Sequence, residues 1–410
     1  MIQKRIPSVR FIEYSDVWAK TKLNRIANII GGGTPDTKQS SYWNGGINWF
    51  SPTEVGETVY LRKSEKTISQ LGLQKSSAKL LPAFKTILFT SRAGIGDVGI
   101  LTEESATNQG FQSLVVNEGI DVYFLYSYSG QIKKYALKHS AGSTFLEISG
   151  KELGKMDLNI PSLPEQSSIG SLFRTLDDLL ASYNDNLANY QFLKATMLSK
   201  MFPKAGQTVP EIRLDGFEGE WEAQTLKELA SFSKGNGYTK NDLVNSGEEI
   251  ILYGRLYTNY QTIISKVNTF VTTVKANAVI SKGGEVIVPA SGESAEDISR
   301  ASVVDKSGVI LGGDLNIIYP DENKVDSIFL ALTISNGSQQ KELIKRAQGK
   351  SIVHLRNNDL EKVVLHYPSL KEQQAIGSYF SNLDNLINSH QEKISQLETL
   401  KKKLLQDMFI

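Results

Sequence analysis

The residues best suited to chemistry sit in glycine-rich loops of both halves of the chain. In the first half, Thr34 to Trp43 (TPDTKQSSYW) brings Lys38 and Gln39 together, and Ser91-Arg92-Ala93-Gly94 presents an arginine. In the second half, Lys234 to Lys240 (KGNGYTK), Arg255-Leu256-Tyr257-Thr258-Asn259 and Ser299-Arg300 have the same character. Arg, Lys, Asn and Gln form the bidentate hydrogen-bond pairs that tell base pairs apart in a groove, while Ser, Thr and backbone amides suit phosphate. Taken singly, each loop also reads as a solvated turn or the edge of a core, with Tyr42, Trp43 and Trp49 as core residues.

The tools of catalysis are missing from the same inspection. With no cysteine, the chain has no disulfide framework, thiolate metal site, thiol nucleophile or cysteine-held iron–sulfur cluster. The four histidines, His139, His354, His366 and His390, are scattered and form no HExxH. Gly349-Lys350-Ser351 ends like a phosphate-binding loop, but Lys345 stands where that loop needs its first glycine. Gly94-Ile95-Gly96 lacks the rest of a dinucleotide fingerprint and reads as a turn. No Asn-Pro-Pro-aromatic or Asp-Pro-Pro-Tyr tetrapeptide occurs. The reading is a scaffold with no catalytic residue and no metal ligand of its own.

Something must position those loops, and the 410 residues leave room for two to four domains. The first residues contain no apolar signal segment, and no run of about eighteen apolar residues occurs, so a cytoplasmic chain without a membrane span is expected. The formal charge of +1 conceals an asymmetry. Residues 1–160 carry roughly 19 basic and 14 acidic groups, and residues 210–365 roughly 17 and 21. A chain this neutral has no large basic surface for phosphate, so nucleic acid would require local patches or a basic partner.

The organisation is a duplication. Pro161 to Phe202 aligns without a gap to Pro368 to Phe409, with roughly eighteen of about forty-two positions identical. Glu165/Glu372, Gln166/Gln373, Ile169/Ile376, Gly170/Gly377, Phe173/Phe380, Asp177/Asp384 and Leu198/Leu405 are among the matches. A fainter echo precedes each copy: Pro7, Arg10, Trp18, Leu23 and Ala27 against Pro210, Arg213, Trp221, Leu226 and Ala230. Within each copy, apolar residues recur at steps of three and four, from Ile169 to Met201 and from Ile376 to Met408, the spacing of a coiled-coil seam. Ser162 to Glu165 and Ser369 to Glu372 read as capping boxes. Each rod of roughly 60 Å needs a partner for its stripe, and the other copy, packed antiparallel, supplies one; ordinary bundle helices are the other reading.

The segments between the helices read as strand-rich globules. Ile47–Ser51, Thr86–Ser91, Ser113–Val116 and Lys155–Pro161 are expected strands in the first, with helix near Val122–Lys138. In the second, Glu249–Tyr257, Thr272–Ile280, Glu285–Ala290 and Leu315–Tyr319 are expected strands, with helix from about Ser327 to Gln348. The expected fold class is α+β, with two pseudo-twofold-related α/β domains (1–160 and 204–367) separated by two long antiparallel coiled-coil helices (161–203 and 368–410).

This arrangement, with GGTPDTKQSSYWNGGINWFS near the start, TNQGFQSL within the first globule, and KGNGYTKNDL and ILYGRLYTNY in the second, resembles the specificity subunit of type I restriction-modification systems over nearly the full length. The resemblance implies two target-recognition domains, each reading one half of a split, asymmetric site in double-stranded DNA. It also implies a helix pair that fixes the spacer, so that a heptad inserted into Leu187 to Leu193 should lengthen it. Two methyltransferase (M) subunits and the restriction (R) subunits would dock on the chain. Those partners would bring S-adenosylmethionine, ATP and Mg²⁺, and this chain would bind none of these and catalyse nothing. On this view Lys38, Gln39, Arg92, Lys240, Arg255 and Arg300 are expected near DNA. Phe173, Leu176, Leu187, Phe380, Leu383 and Leu397 are expected to carry the partner contacts of the helices. A coiled-coil scaffold that binds protein or glycan instead of DNA is the alternative.

Overall fold

The computed structural model describes residues 7–92, 94–142, 146–349 and 352–409. Two 38-residue helices dominate it, Leu163–Lys200 and Leu370–Asp407, each about 57 Å long at 1.5 Å per residue. By contacts the chain divides into two compact units, Met1–Asp185 with Glu392–Ile410, and Asn186–Gln391. Each unit therefore holds a domain, one end of its own helix and one end of the other. The pairing inside each unit is antiparallel. In the first, Phe173 lies 5.8 Å from Phe409, and in the second Phe380 lies 6.2 Å from Phe202. Phe409 inserts beside Phe124 and Tyr128, and Phe202 beside Trp221 and Phe329, so the last turn of each helix closes the core of a unit.

The two domains share a topology that their sequences do not advertise. In the first, a five-stranded sheet runs Ala27–Gly31, Gln112–Val116, Thr86–Phe89, Val98–Leu101, Tyr60–Leu61, antiparallel except for the final parallel pair. In the second, Ala230–Lys234, Leu315–Pro320, Glu285–Pro289, Ser302–Val304 and Ile263–Ile264 follow one another with the same directions. A second sheet is built on Trp43–Phe50 in the first domain and on Glu248–Ile251 in the second. A two-stranded ribbon, Ala19–Lys22 with Asp157–Ile160 and Glu222–Thr225 with Val364–Tyr367, gathers entry and exit just before each long helix.

Several local expectations change. The strand expected through Tyr257 ends at Ile251, and Arg255–Thr258 is a helical turn. Thr272 to Asn277 lies outside the strands, leaving only Val279–Ile280 of that run. The expected helix from Ser327 divides at Asn336 into Ser327–Ser335 and Gly337–Arg346, as the first domain divides into Val122–Ser127 and Ser129–His139.

The faint sequence echo turns out to be a latch between each domain's entry segment and the head of its helix. Arg10 donates through Nε and Nη2 to the two oxygens of Glu165, both at 2.7 Å, and Arg213 grips Glu372 likewise at 2.8 and 2.7 Å. Both glutamate side chains are 2% exposed. Hydrogen bonding to Glu165 holds the Arg10 guanidinium above its already high usual range. Of the expected capping boxes, the second helix keeps the serine half, the Ser369 hydroxyl accepting from the Glu372 N–H at 3.4 Å, while the side chains of both glutamates face the arginines. The neighbouring glutamines complete the joint. Gln166 accepts from the Asp121 N–H and donates to Pro161 O, and Gln373 does the same with Asp326 and Pro368. Each aspartate in turn caps the domain helix that follows it, by accepting from Phe124 or Phe329 N–H.

Candidate nucleic-acid interface

In the first domain the loop from Thr34 is shaped by its own hydrogen bonds. The Lys38 N–H donates to the Asp36 side chain at 2.9 Å, and Trp43 Nε1 donates to Asp36 O at 3.2 Å. Trp43 stands edge-on to Trp49 at 5.1 Å, and Trp49 is buried with Ile68, Ala78 and Ala106. Trp49 is therefore core and Trp43 its cover, while Lys38 and Gln39 are exposed.

The next three residues bulge out of the strand, because Trp43 and Ile47 both pair with Ile68. Gly45 permits the close approach: a Cβ there would lie 2.1 Å from Ser69 Cα. Asn44 takes the left-handed conformation at φ 58°, which Asn tolerates better than most residues, and is exposed. Thr37, Trp43, Asn44 and Lys66 line a shallow recess of 290 Å³. Asn44 and Lys66 escaped the sequence reading, although Asn-Gly-Gly is a strong turn signal that could have flagged the first. Arg92 lies apart on another loop, half-buried and bridged through its backbone to Glu147. The nearby Gly94 and Gly96 have φ of 110° and 95° in a turn tied by Thr90, whose hydroxyl donates to Gly94 O.

The second domain builds its loop differently. Tyr238 is buried, donates to Thr273 O, and has the Lys275 ammonium 4.3 Å above its ring. Lys275 also pairs with Asp242 at 3.1 Å. Thr239 and Asp242 form a capping box around a single turn, on which Lys240 is exposed.

Arg255 is engaged within the domain. Its Nη1 donates to Asn268 Oδ1, its Nη2 donates to Gln261 Oε1 and Lys266 O, and burial lowers its pKa. Arg300 lies 5.7 Å from the Tyr260 ring and lines a cleft with Lys194, Leu198 and Gln340, at the helix side of the unit. The structure thus leaves Lys38, Gln39 and Lys240 free on loops, and directs Arg255 and Arg300 towards contacts within their own unit.

The helix residues expected to meet partners are mostly enclosed. Phe173, Leu176 and Leu397 belong to the core of the first unit, Phe380 and Leu383 to that of the second, and only Leu187 is half-exposed. Within each unit the domain and the opposite helix end cover the five enclosed residues, and Leu187 alone of the six stays open to solvent on one side. Leu179 and Leu386, at equivalent positions of the two copies and read as seam, are instead 42% and 40% exposed. Among the described residues no cluster of three or more His, Asp or Glu could hold a metal ion, and no helix is long and apolar enough to cross a membrane. Lys350 and Ser351 of the phosphate-loop-like triplet lie outside the described residues.

Two sheet-built domains of one topology, each latched to the head of a long helix and carrying differently built polar loops, define a duplicated recognition protein. The type I restriction modification DNA specificity domain matches residues 15–189 and again 218–399, and the chain belongs to that family. It is 23% identical over 401 residues to the type I restriction enzyme MjaIX specificity subunit of Methanocaldococcus jannaschii, covering 95% of this chain and 91% of the relative. To the EcoR124I/EcoR124II specificity subunit of Escherichia coli it is 27% identical over 197 residues, 44% of this chain and 48% of the other. The fold is similar to the type I restriction-modification S subunit from M. genitalium, with a TM-score of 0.62 and 14% identity over 99% of both chains. A chain from a type I R-M system, solved for its complex assembly and conformational transition, has a TM-score of 0.51 and 16% identity over 95% of this chain and 96% of its own.

Proposed function

We propose that this chain is the DNA-reading subunit of a type I restriction-modification complex, with each domain reading one half of a split, asymmetric site and the paired helices setting the spacer. The observation that carries this reading is the contrast between frame and loops. Arg10/Arg213, Glu165/Glu372, Gln166/Gln373 and Asp121/Asp326 make equivalent contacts in both units. The exposed loops around Lys38 and Asn44, and around Lys240, are built on different principles. A repeated frame suits two copies of one partner, and divergent loops suit two different half-sites.

Lys38, Gln39, Asn44 and Lys66 would face one half-site and Lys240 the other, with Arg92 at the margin and Arg255 holding its loop in shape. Two methyltransferase subunits would bring S-adenosylmethionine, and restriction subunits ATP and Mg²⁺. Leu179 and Leu386 are the equivalent exposed apolar points at which identical partners would meet the helices. The near-neutral charge fits a division of labour in which partners hold phosphate and this chain contributes base contacts.

The test is co-expression with the cognate methyltransferase subunit in a methylation-free host, with single-molecule mapping of modified bases. A split motif that disappears without this chain supports the reading. A stable complex that modifies no motif would favour a scaffold that does not read DNA.

A further inference from the structure

The helix pair is bridged at two levels by the same pair of residues. In the first unit the Lys401 ammonium meets Asp177, and in the second Lys194 meets Asp384. Asp177 and Asp384 are equivalent positions of the duplication, as are Lys194 and Lys401. These side chains are 9 to 28% exposed. Each aspartate also binds its domain through the second oxygen. The Tyr123 hydroxyl donates to Asp177 at 2.7 Å, and the Thr262 hydroxyl donates to Asp384 at 3.3 Å. Each carboxylate is thus a three-way joint between one helix, the other helix and a recognition domain.

The first joint borders a cleft of 620 Å³ lined in part by Tyr126, Leu180 and Phe409, and the Arg174 guanidinium lies 5.1 Å from the Tyr123 ring. The second opens on a cleft of 310 Å³ lined in part by Tyr260, Asn385 and Asn388.

From these joints we infer that Asp177–Lys401 and Asp384–Lys194 are positioning residues that select the helix register, and through it the single spacer length the protein accepts. The inference rests on the proposed DNA-reading role. An apolar seam alone defines register weakly, because a slip of one heptad presents a similar stripe again. A half-buried opposite-charge pair does not tolerate the slip, since one heptad away Asp384 would stand opposite Leu187 or Met201 and Asp177 opposite Ile394 or Met408, each without its counter-charge. One heptad is about 10 Å of helix, or roughly three base pairs at 3.4 Å each, so the joints act with the seated Phe202 and Phe409 to exclude a family of wrong spacers that the seam alone would admit.

Because the chain has no cysteine, engineered thiols report on register cleanly. In an antiparallel pair that sets Lys194 against Asp384, Phe192 lies opposite Leu386, and both are exposed. Spin labels at F192C and L386C in the full chain should give one narrow distance distribution. With Lys194→Met or Asp384→Asn it should broaden about twofold or split in two. The swap Lys194→Asp with Asp384→Lys should restore it, since the Thr262 hydroxyl can accept as well as donate; labels at L179C and T399C test the first joint in the same way.

In the complex with the methyltransferase subunit, the single variants should keep both half-sites yet modify sites with additional spacers, and the swap should return to one spacer. Unchanged distances in the single variants overturn the inference, and the swap keeps it decidable where a single variant fails to fold. Broadened distances with an unchanged spacer overturn the spacer role and leave only a structural lock. If the unaltered complex modifies no split motif, the DNA-reading proposal fails, and the label distances still decide whether the joints set register.

Discussion

Replacing Arg10 by methionine should be among the most destabilising single changes outside the apolar cores. The Glu165 side chain is 2% exposed, and its partners are Arg10 at 2.7 Å and Trp18 Nε1 at 3.2 Å. Without Arg10 a buried carboxylate keeps one neutral donor, a situation that costs about 3–5 kcal/mol. For a compact unit of roughly 200 residues, each kcal/mol moves the melting temperature by about 2–4 °C, so the transition of the first unit should fall by about 6–20 °C. Adding Glu165→Gln removes the stranded charge while leaving an acceptor for Trp18, and should recover most of that loss. Differential scanning calorimetry of the full chain reads both variants, with each transition followed separately because two units need not unfold together. The raised guanidinium pKa means that the arginine's contribution is present below its unfolded value and is lost only at extreme alkaline pH, so the arginine adds no slope near neutrality. Equal melting temperatures for Arg10→Met and the double variant would refute the argument, because the cost would then not lie in the uncompensated charge.

Three further outcomes follow from the same reasoning. Burial, with Asp177 and Tyr60 nearby, pushes the Tyr126 phenol up to about 12, and Tyr123 is raised as well. The folded state therefore retains these protons, and stability present below pH 10 should fall on the order of 2–3 kcal/mol per fully shifted phenol as pH rises towards 12; urea titrations should show a shallower loss in Tyr123→Phe/Tyr126→Phe. Lys240→Ala should weaken DNA binding by the complex and reduce the slope of log affinity against log salt by about one, whereas Arg255→Ala should lower the domain's melting temperature, its Nη1 and Nη2 groups being bonded internally. The single heptad insertion into Leu187 to Leu193 expected to lengthen the spacer leaves the facing helix short, so the gain of roughly three base pairs should require residues 385–391 to be lengthened too; methylation mapping that finds altered half-sites would contradict this.

The sequence made the frame legible because duplication doubles the evidence for each position. Arg10, Trp18 and their counterparts stand out by spacing alone, yet the purpose of the arginines shows only in their contacts with Glu165 and Glu372 at the heads of the helices. The common sheet topology was hidden because strands such as Ile263–Ile264 and Tyr60–Leu61 are two residues long and pair with distant segments. Period alone also misassigned Leu179 and Leu386, since a wide apolar stripe does not show which edge the neighbour covers. Arg255 read as a ligand-facing cation because its partners, Gln261, Lys266 and Asn268, follow it in a stretch with no recognisable pattern.

The placement of Phe409 carries a consequence for the order in which the protein is made. The second unit is one continuous stretch, Asn186–Gln391, whereas the first contains Phe124, Tyr128 and Phe173 at one end of the chain and Phe409 at the other. Translation proceeds at about 5–20 residues per second, so the domain synthesised first waits some tens of seconds with an open socket between its aromatic rings. The half of the molecule that begins last is the half whose core can close first, and the earliest residues reach their final packing only when the last turn of helix arrives.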